Sequence, residues 1–261
     1  MRKMKSKIFQ KRILPIFVLL LCLPVQPVFC EETKIRVALA HWPPWKIINQ
    51  GKFGGIDVEI LKVIGTYLNI SFEFSECPWR RCLDMVKNGE VDMITSFGKT
   101  PEREKYVYYL EPPYALGKIV FYTKKAKGPL IRQYEDLYKE KIGSLKGSVY
   151  FEAFDNDSEI NKTEVTWEHQ FFRMLSSGRI SVIIGYETVT DYLIITEGFQ
   201  GQFEKAPLSY QSTGSHFAMS KKSKATELIP QFNRVIGQMA KTHEFDDIIN
   251  SFLNSMEQPG E

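Results

Sequence analysis

The order of strand and helix patterns limits most strongly what this chain can fold into. In chain order the first patterns are strand, helix, strand, helix and strand, at 35–40, 55–68, 70–74, 79–90 and 91–96. Each helix carries apolar residues at helical spacing, and each strand is a short β-rich run. Strands that alternate with helices pair in parallel through right-handed crossovers. The first part of the chain therefore predicts a βαβαβ unit.

A second strand and helix series follows a proline-containing pause at 111–125. Its patterns are a strand and turn at 141–147, a helix start at 148–154, a helix at 168–178, a strand at 179–185 and a helix at 187–196. Two amphipathic helices, at about 224–241 and 244–255, close the chain. Two such series in one chain predict two lobes of α/β type.

Strand-like segments near 118–124 and 215–220 are predicted to connect the two lobes. We accordingly predict that lobe 1 comprises 31–120 together with 215–261. Lobe 2 then comprises 121–214. This division leaves a cleft between the lobes.

The first thirty residues have the composition of an export signal. They contain six basic residues and no acidic one, followed by the apolar run at 13–25 and a polar exit. That run is shorter than the roughly 20 residues of a membrane-spanning helix. We predict a signal peptide at 1–30, cleaved after Cys30, and hence a periplasmic protein. A lipid anchor at Cys30 is the alternative, which the bulky Phe29 disfavours.

The charge balance changes once that leader is set apart. The whole chain has 34 basic and 31 acidic residues, and removal of the leader's six basic residues leaves 28 against 31. The remainder has no basic tract of the kind that binds nucleic acid. We therefore predict no nucleic-acid partner.

Cys77 and Cys82 are the two cysteines that follow the leader. In an oxidising compartment a neighbouring pair favours a disulfide. Their spacing is CxxxxC rather than the CxxC of thioredoxin-like redox sites, and the four histidines of the chain are not spaced as zinc ligands. We predict a structural disulfide, no metal and no cofactor.

The carboxyl ends of the predicted strands carry the chain's most unusual loops. They are HWPPW, CPW and TSFGKTPER in the first series, and LKGS and GYE in the second. In open α/β sheets ligands bind beyond the carboxyl ends of the strands. These loops are therefore predicted to form the walls of one pocket.

Trp42 and Trp79 each follow a strand and stand beside proline. Packing within a lobe is one interpretation of each. Together they are also placed to form two aromatic walls against a flat or aliphatic ligand, and a cationic ligand would gain from their faces. The sequence leaves both interpretations open.

Arg103 follows a run of small polar residues, Thr95, Ser96 and Gly98. A guanidinium can bind a carboxylate through two parallel hydrogen bonds, and hydroxyl and backbone N–H groups can complete the shell of the anion. An ion pair of Arg103 with a neighbouring glutamate on the surface is the alternative.

Gly147 and Ser148 lie at a predicted strand-to-helix turn. Backbone N–H groups at such a turn can hold an anion. An ordinary helix-capping role for Ser148 explains the same residues equally well.

The order of these motifs resembles the family 3 extracellular solute-binding proteins, the periplasmic receptors of amino-acid-type ABC transporters. The resemblance covers about 34–255 and rests on HWPPW, GIDVEIL, GEVDM, TPERE, EPPY, LKGS and GRISVIIG. It implies a type II periplasmic-binding-protein-like fold, in which two lobes close on a ligand about a hinge. It also implies a monomer that delivers a small solute, an amino acid or related carboxylate, to a membrane permease.

The same resemblance assigns roles to individual residues. In similar proteins the aromatic residues matching Trp42 and Trp79 sandwich the ligand side chain. The residues that bind the ligand's carboxylate match Thr95, Ser96, Gly98, Arg103 and Ser148.

One position departs from the family pattern. An acidic residue that holds the α-ammonium of an amino acid usually follows the strand written here ISVIIG, whereas this chain has Tyr186 with Glu187 next to it. Either Glu187 substitutes through a shifted turn or the ligand lacks the ammonium. A cyclohexadienyl-dehydratase-like lyase on the same fold is the alternative function, with Glu187 as its candidate acid.

Overall fold

Twelve strands form the framework of residues 33–257, the part of the chain that the computed structural model describes. The predicted signal peptide lies outside these residues. The strands are β1 (Thr33–Leu39), β2 (Ile47–Asn49), β3 (Lys52–Gly54), β4 (Ile70–Glu76), β5 (Met93–Phe97), β6 (Val107–Tyr109), β7 (Lys118–Lys124), β8 (Lys141–Leu145), β9 (Asn161–Val165), β10 (Val182–Tyr186), β11 (Phe203–Gln211) and β12 (His216–Ser220).

Eight α-helices connect or cover these strands within the described residues. They are α1 (Ile56–Leu68), α2 (Trp79–Asn88), α3 (Pro101–Glu104), α4 (Glu152–Asn156), α5 (His169–Ser176), α6 (Glu187–Thr196), α7 (Ile229–Lys241) and α8 (Glu244–Glu257). Short 3₁₀ helices add Tyr134–Lys139 and Lys224–Leu228. None of the helices described in 33–257 is both long and apolar enough to cross a membrane.

The first sheet has the strand order β4-β1-β5-β12-β6. Strand β1 pairs in parallel with β4 and β5, as the βαβαβ prediction requires, whereas β12 returns antiparallel between β5 and β6. Side chains of β1 and β5 are buried together with those of α1 and α7. This sheet and its helices form the core of lobe 1.

The second sheet has the order β11-β7-β10-β8-β9 and forms the core of lobe 2. Strand β8 is parallel to β9 and β10, while β7 is antiparallel to β10 and β11. The predicted two-lobed α/β fold is confirmed.

The chain passes between the sheets at 110–117 and at 212–215. These two segments are joined to each other, because Ala115 and Ser215 form an isolated antiparallel bridge. In addition, the Ser212 N–H donates to the Gly117 carbonyl at 2.8 Å. The strands that we predicted as connections, β7 and β12, lie directly after these crossings, and each belongs to one sheet.

Helix α1 shows why the GIDVEIL segment folds as it does. Ile56, Ile60 and Ile64 recur on one face and have no exposed surface. Gly55 precedes the helix at φ 100°, and a Cβ there would stand 2.5 Å from the Trp45 carbonyl oxygen. Only glycine therefore lets the start of α1 lie against the HWPPW loop.

The predicted disulfide between Cys77 and Cys82 is confirmed, and it links the end of β4 to the first turn of α2. Helix α2 begins at Trp79, as predicted. It ends before Gly89, which adopts a left-handed φ of 78° suited to glycine.

One predicted helix start is wrong in position. The stretch 148–154 was expected to begin a helix, but α4 covers Glu152–Asn156 and the residues before it are irregular. The Tyr150 N–H donates to the Asp155 carboxylate instead of entering a helical ladder. This side-chain bond competes with helix formation and delays the helix by several residues.

Candidate functional site

A cavity lies between the two lobes, where the carboxyl ends of the first sheet's strands face the loops of the second. Seven predicted site residues line it: Trp42, Trp79, Ser96, Gly98, Arg103, Ser148 and Tyr186. Lys46, Trp167 and Glu168, which no sequence motif indicated, line it as well. Loops that are far apart in the sequence therefore do meet at one site.

Trp42 is presented by a loop that folds back on itself. Its N–H donates to the Lys46 carbonyl at 2.8 Å, and the Lys46 N–H donates to the Trp42 carbonyl at 2.9 Å. The Trp42 ring meets Tyr186 of lobe 2 edge to face, with the centroids 5.4 Å apart. Trp79 comes from the start of α2, and its indole N–H donates to the Gly147 carbonyl of lobe 2 at 3.1 Å. Both tryptophans thus contact the opposite lobe.

The side chain of Lys46 lies over the rings of both tryptophans. The Lys46 ammonium lies 4.9 Å from the Trp42 ring centroid and 5.4 Å from that of Trp79. Lys46 is 2% exposed. Burial lowers the pKa of Lys46 to about 8, although the acidic groups of Asp57 and Glu168 oppose this shift. The ammonium forms no hydrogen bond or salt bridge with a residue of 33–257.

Asp57, in the first turn of α1, is fully buried beneath this loop. Its two oxygens accept hydrogen bonds from the Ser96 hydroxyl at 2.6 Å and the Tyr114 hydroxyl at 2.8 Å. Burial raises the pKa of Asp57, and Lys46 and these two hydroxyl donors oppose the shift. The Asp57 N–H also donates to the Trp45 carbonyl at 2.9 Å, which fixes the helix start against the HWPPW loop.

Arg103 is 6% exposed, which contradicts the alternative of a surface ion pair. The Thr100 hydroxyl accepts from the Arg103 N–H at 3.2 Å and so caps the short helix α3 that carries the guanidinium. The guanidinium donates to the Gly98 carbonyl at 2.9 Å and to the Gly147 carbonyl at 3.0 Å. Among the residues of 33–257 it has no carboxylate partner. Its plane lies over the Phe97 ring at 4.3 Å.

The small polar residues before Arg103 occupy different environments. Thr95 has no exposed surface, does not line the cavity, and its hydroxyl has no hydrogen-bond partner within the described residues. Ser96 lines the cavity, but it donates its N–H to Tyr114 at 2.9 Å and its hydroxyl proton to Asp57. Gly98 contributes the carbonyl that orients Arg103. The two hydroxyls are therefore not directed at the cavity as anion donors.

The predicted residues of lobe 2 also differ in placement. Ser148 lines the cavity and caps no helix, because α4 begins at Glu152 with Phe151 at its N-cap. The Ser148 N–H donates to the Leu145 carbonyl at 3.1 Å. Gly147 adopts φ 79° and turns its carbonyl toward Arg103. The Tyr186 hydroxyl donates to the Val149 carbonyl at 2.5 Å, and burial raises the pKa of Tyr186 to about 12.

Glu187 is not at the cavity. Its carboxylate accepts from the Lys205 ammonium at 2.7 Å on the outer side of α6, and Asp191 accepts from the same ammonium at 2.6 Å. The acid that lobe 2 does present to the cavity is Glu168, which directly precedes α5. Burial raises the pKa of Glu168 to about 7, with Lys46 opposing the shift.

The described residues contain no group of three or more His, Cys, Asp or Glu side chains that could hold a metal ion. The cavity instead combines aromatic rings, two buried cations and one acid. Such a site can hold a small organic molecule and orient its polar groups.

Comparison with known proteins agrees with this architecture. A probable histidine-binding protein of Campylobacter jejuni subsp. jejuni serotype O:2 is 23% identical over 218 residues, which cover 80% of each chain. The amino acid ABC transporter substrate-binding protein AbpA from Streptococcus pneumoniae, solved with L-arginine bound, is 25% identical. It superposes with a TM-score of 0.71 over 87% of this chain and 97% of that one.

The ancestral amino acid-binding protein AncCDT-1, a precursor of cyclohexadienyl dehydratase, shares the fold as well. It is 20% identical and has a TM-score of 0.70 over 84% of this chain and 94% of its own. A model of the bacterial extracellular solute-binding proteins, family 3, matches residues 35–255. The chain therefore belongs to the bacterial extracellular solute-binding proteins, family 3.

Proposed function

We propose that this protein is a periplasmic receptor that binds a small carboxylate-bearing solute, an amino acid or a related acid, between its two lobes. The observation that carries the proposal is the burial of the Arg103 guanidinium without an acidic partner among the described residues. This guanidinium is buried at the cavity and donates only to carbonyl groups, one from each lobe. A buried charge is stabilised by an opposite charge, and a ligand carboxylate can supply one in bidentate geometry.

The remaining roles follow from position at the cavity. Trp42 and Trp79 bound the ligand's apolar body, and Tyr186 closes the pocket from lobe 2. Gly98 orients Arg103, and Ser148 offers its hydroxyl to the anion. Ser96 and Thr95 support the cavity from behind and do not contact the ligand directly in this proposal. The Ser96 hydroxyl already donates to Asp57.

The proposal includes the setting of the receptor. The lobes divide at 31–120 with 215–261 and at 121–214, and the two joined crossing segments act as the hinge. The protein acts as a monomer, exported through its signal peptide, and delivers its solute to an ABC permease. The histidine-binding and arginine-bound relatives support an amino-acid-type solute.

Removal of the guanidinium tests the proposal. We expect Arg103→Ala to weaken binding of a carboxylate ligand by about tenfold or more, because charge-assisted hydrogen bonds contribute roughly 1.5–3 kcal/mol each. A thermal-shift screen of the purified protein against amino acids and small carboxylates identifies the ligand, and isothermal titration calorimetry measures the loss.

Arg80→Ala is the matched control, because Arg80 is exposed on α2 and does not line the cavity. Its affinity should equal that of the wild type. Unchanged affinity in Arg103→Ala contradicts the proposal.

The alternative of a dehydratase-like enzyme loses its predicted acid, since Glu187 is paired with Lys205 outside the cavity. The relatives compared above are binding proteins by name. Saturable binding without turnover of prephenate-like acids supports the receptor, whereas turnover supports the enzyme.

A further inference from the structure

Lys46 is the cavity residue whose environment the proposed carboxylate clamp does not explain. It is 2% exposed and lines the cavity, yet its ammonium has no hydrogen-bond or salt-bridge partner among residues 33–257. An ammonium carries three donors and no acceptor, and lysine is almost never fully buried unless it is paired. An acceptor that belongs to none of the described residues would satisfy it.

The acids near Lys46 do not serve as that acceptor. Asp57 forms no hydrogen bond or salt bridge with Lys46, and its two oxygens accept from the hydroxyls of Ser96 and Tyr114 instead. Glu168 belongs to the opposite lobe and likewise makes no salt bridge with it. The two acids act on Lys46 only at longer range.

The position of Lys46 also determines what the aromatic walls can accept. Its ammonium already lies over the faces of Trp42 and Trp79, where a cationic ligand side chain would be attracted. A second cation in that space would be repelled by Lys46. An anionic oxygen group, by contrast, would find an ammonium held between hydrophobic walls.

The two cations of the cavity both lie within about 6 Å of one aromatic ring. The Arg103 guanidinium is 5.8 Å and the Lys46 ammonium 5.4 Å from the centroid of the same Trp79 ring. Both side chains line one cavity. A single small molecule bound in this cavity can therefore reach both cations.

We propose that Lys46 is a second anion-binding residue of the cleft and that the solute is a small dianion, with one acid group on Arg103 and the other on Lys46. This inference rests on the proposed receptor function and narrows its solute class. It accounts for Tyr186 at the position where an ammonium-binding acid is usual, because such a solute needs no ammonium partner there.

Calorimetric titration of the purified protein with matched acids tests the inference. The probes are succinate, glutarate and adipate, each beside the monocarboxylate of the same chain length, together with 3-phosphoglycerate and L-arginine. We expect one dianion to bind about tenfold to a hundredfold more tightly than its monoanionic counterpart, the gain typical of an added charge-assisted contact. Preference for 3-phosphoglycerate over the dicarboxylates would identify the second group as a phosphate.

Lys46→Met retains most of the unbranched side chain and removes its charge. It should abolish the preference for the dianion, weaken dianion binding far more than monocarboxylate binding and raise the affinity for L-arginine. Lys46→Arg should retain the preference. Lys52→Met, at an exposed position on β3, is the matched control and should behave as the wild type. Circular dichroism confirms that each variant is folded.

The outcomes separate this inference from the receptor proposal. Equal affinities for dianions and monoanions, both dependent on Arg103, overturn the role of Lys46 and leave the receptor intact. Tighter binding of L-arginine than of every dianion by the wild-type protein overturns it too. Failure of all carboxylates to bind overturns the receptor proposal itself.

Discussion

The hydroxyl group of Tyr114 supports the side of the cavity that contains Ser96. That hydroxyl donates to the buried Asp57 carboxylate at 2.8 Å and accepts from the Ser96 N–H at 2.9 Å. Ser96 adopts a left-handed φ of 50°, which is unfavourable for a residue other than glycine. These bonds therefore hold a strained residue at the edge of the cavity.

We expect Tyr114→Phe to lower the free energy of unfolding by about 1–3 kcal/mol, because it leaves a buried N–H and part of a buried carboxylate without partners. Urea denaturation followed by fluorescence measures the change. Tyr108→Phe is the control, since Tyr108 is 47% exposed and should change stability very little. A loss in Tyr114→Phe no larger than in the control contradicts this role.

The sequence indicated Trp42, Trp79 and Arg103 as candidate site residues, because each follows the end of a recognisable strand. It did not indicate Lys46, Asp57, Trp167 or Glu168. A charged residue in a sequence is normally exposed, and its burial depends on contacts between distant segments. The available signal for Lys46 was its place directly after HWPPW, where a loop that returns on itself turns the next side chain inward.

At the scale of secondary structure, the disulfide controls how α2 presents Trp79. The bond joins Cys77 to Cys82 across a sequence separation of 5, and both residues are buried. It thus fixes the first turn of the helix to the end of β4. The same turn sets the indole that contacts Gly147 across the cleft.

We expect replacement of both cysteines by serine to lower the free energy of unfolding by about 2 kcal/mol, the loop-entropy value for so short a loop. Because Trp79 is set by the same turn, we also expect weaker ligand binding. Chemical denaturation and calorimetry of the double variant measure the two effects. Wild-type stability in the double variant would contradict the structural role of the bond.

Two of the strands missed in the sequence, β9 and β11, share a physical cause. Strands β9 and β11 are the two edges of the second sheet. Edge strands expose one side to water, so β9 (NKTEV) and much of β11 (FEKAPLSYQ) are polar and lack a strong apolar pattern. Central strands such as β10 (VIIGY) are apolar, and this is why the prediction succeeded there.

At the scale of the whole molecule, the cavity brings together groups from both lobes that titrate near neutral pH. Burial lowers the pKa of Lys46 to about 8 and raises that of Glu168 to about 7. As pH rises, Glu168 becomes negative and then Lys46 loses its positive charge. Both changes make the cavity less favourable for an anion.

We therefore expect the affinity for an anionic solute to fall as pH rises from about 6 to about 9, while carboxylates themselves stay ionised over this range. Titration calorimetry at several pH values measures the trend. Glu168→Gln should remove the step near pH 7 and Lys46→Met the step near pH 8. An affinity that rises with pH contradicts the expected sign.

Gly147 gives the assembled cleft a further property. Its carbonyl accepts hydrogen bonds from both Arg103 and Trp79, so the backbone of lobe 2 already holds donors that an incoming solute needs. A solute that takes the same N–H group must replace this carbonyl, and its apparent affinity is then lower because only a fraction of the molecules have that donor released. A neutral amide or alcohol offers Arg103 little more than Gly147 does, whereas a charged oxygen forms a stronger bond. The Gly147 carbonyl thus selects against uncharged molecules, because they compete with it for Arg103 less well than an acid does.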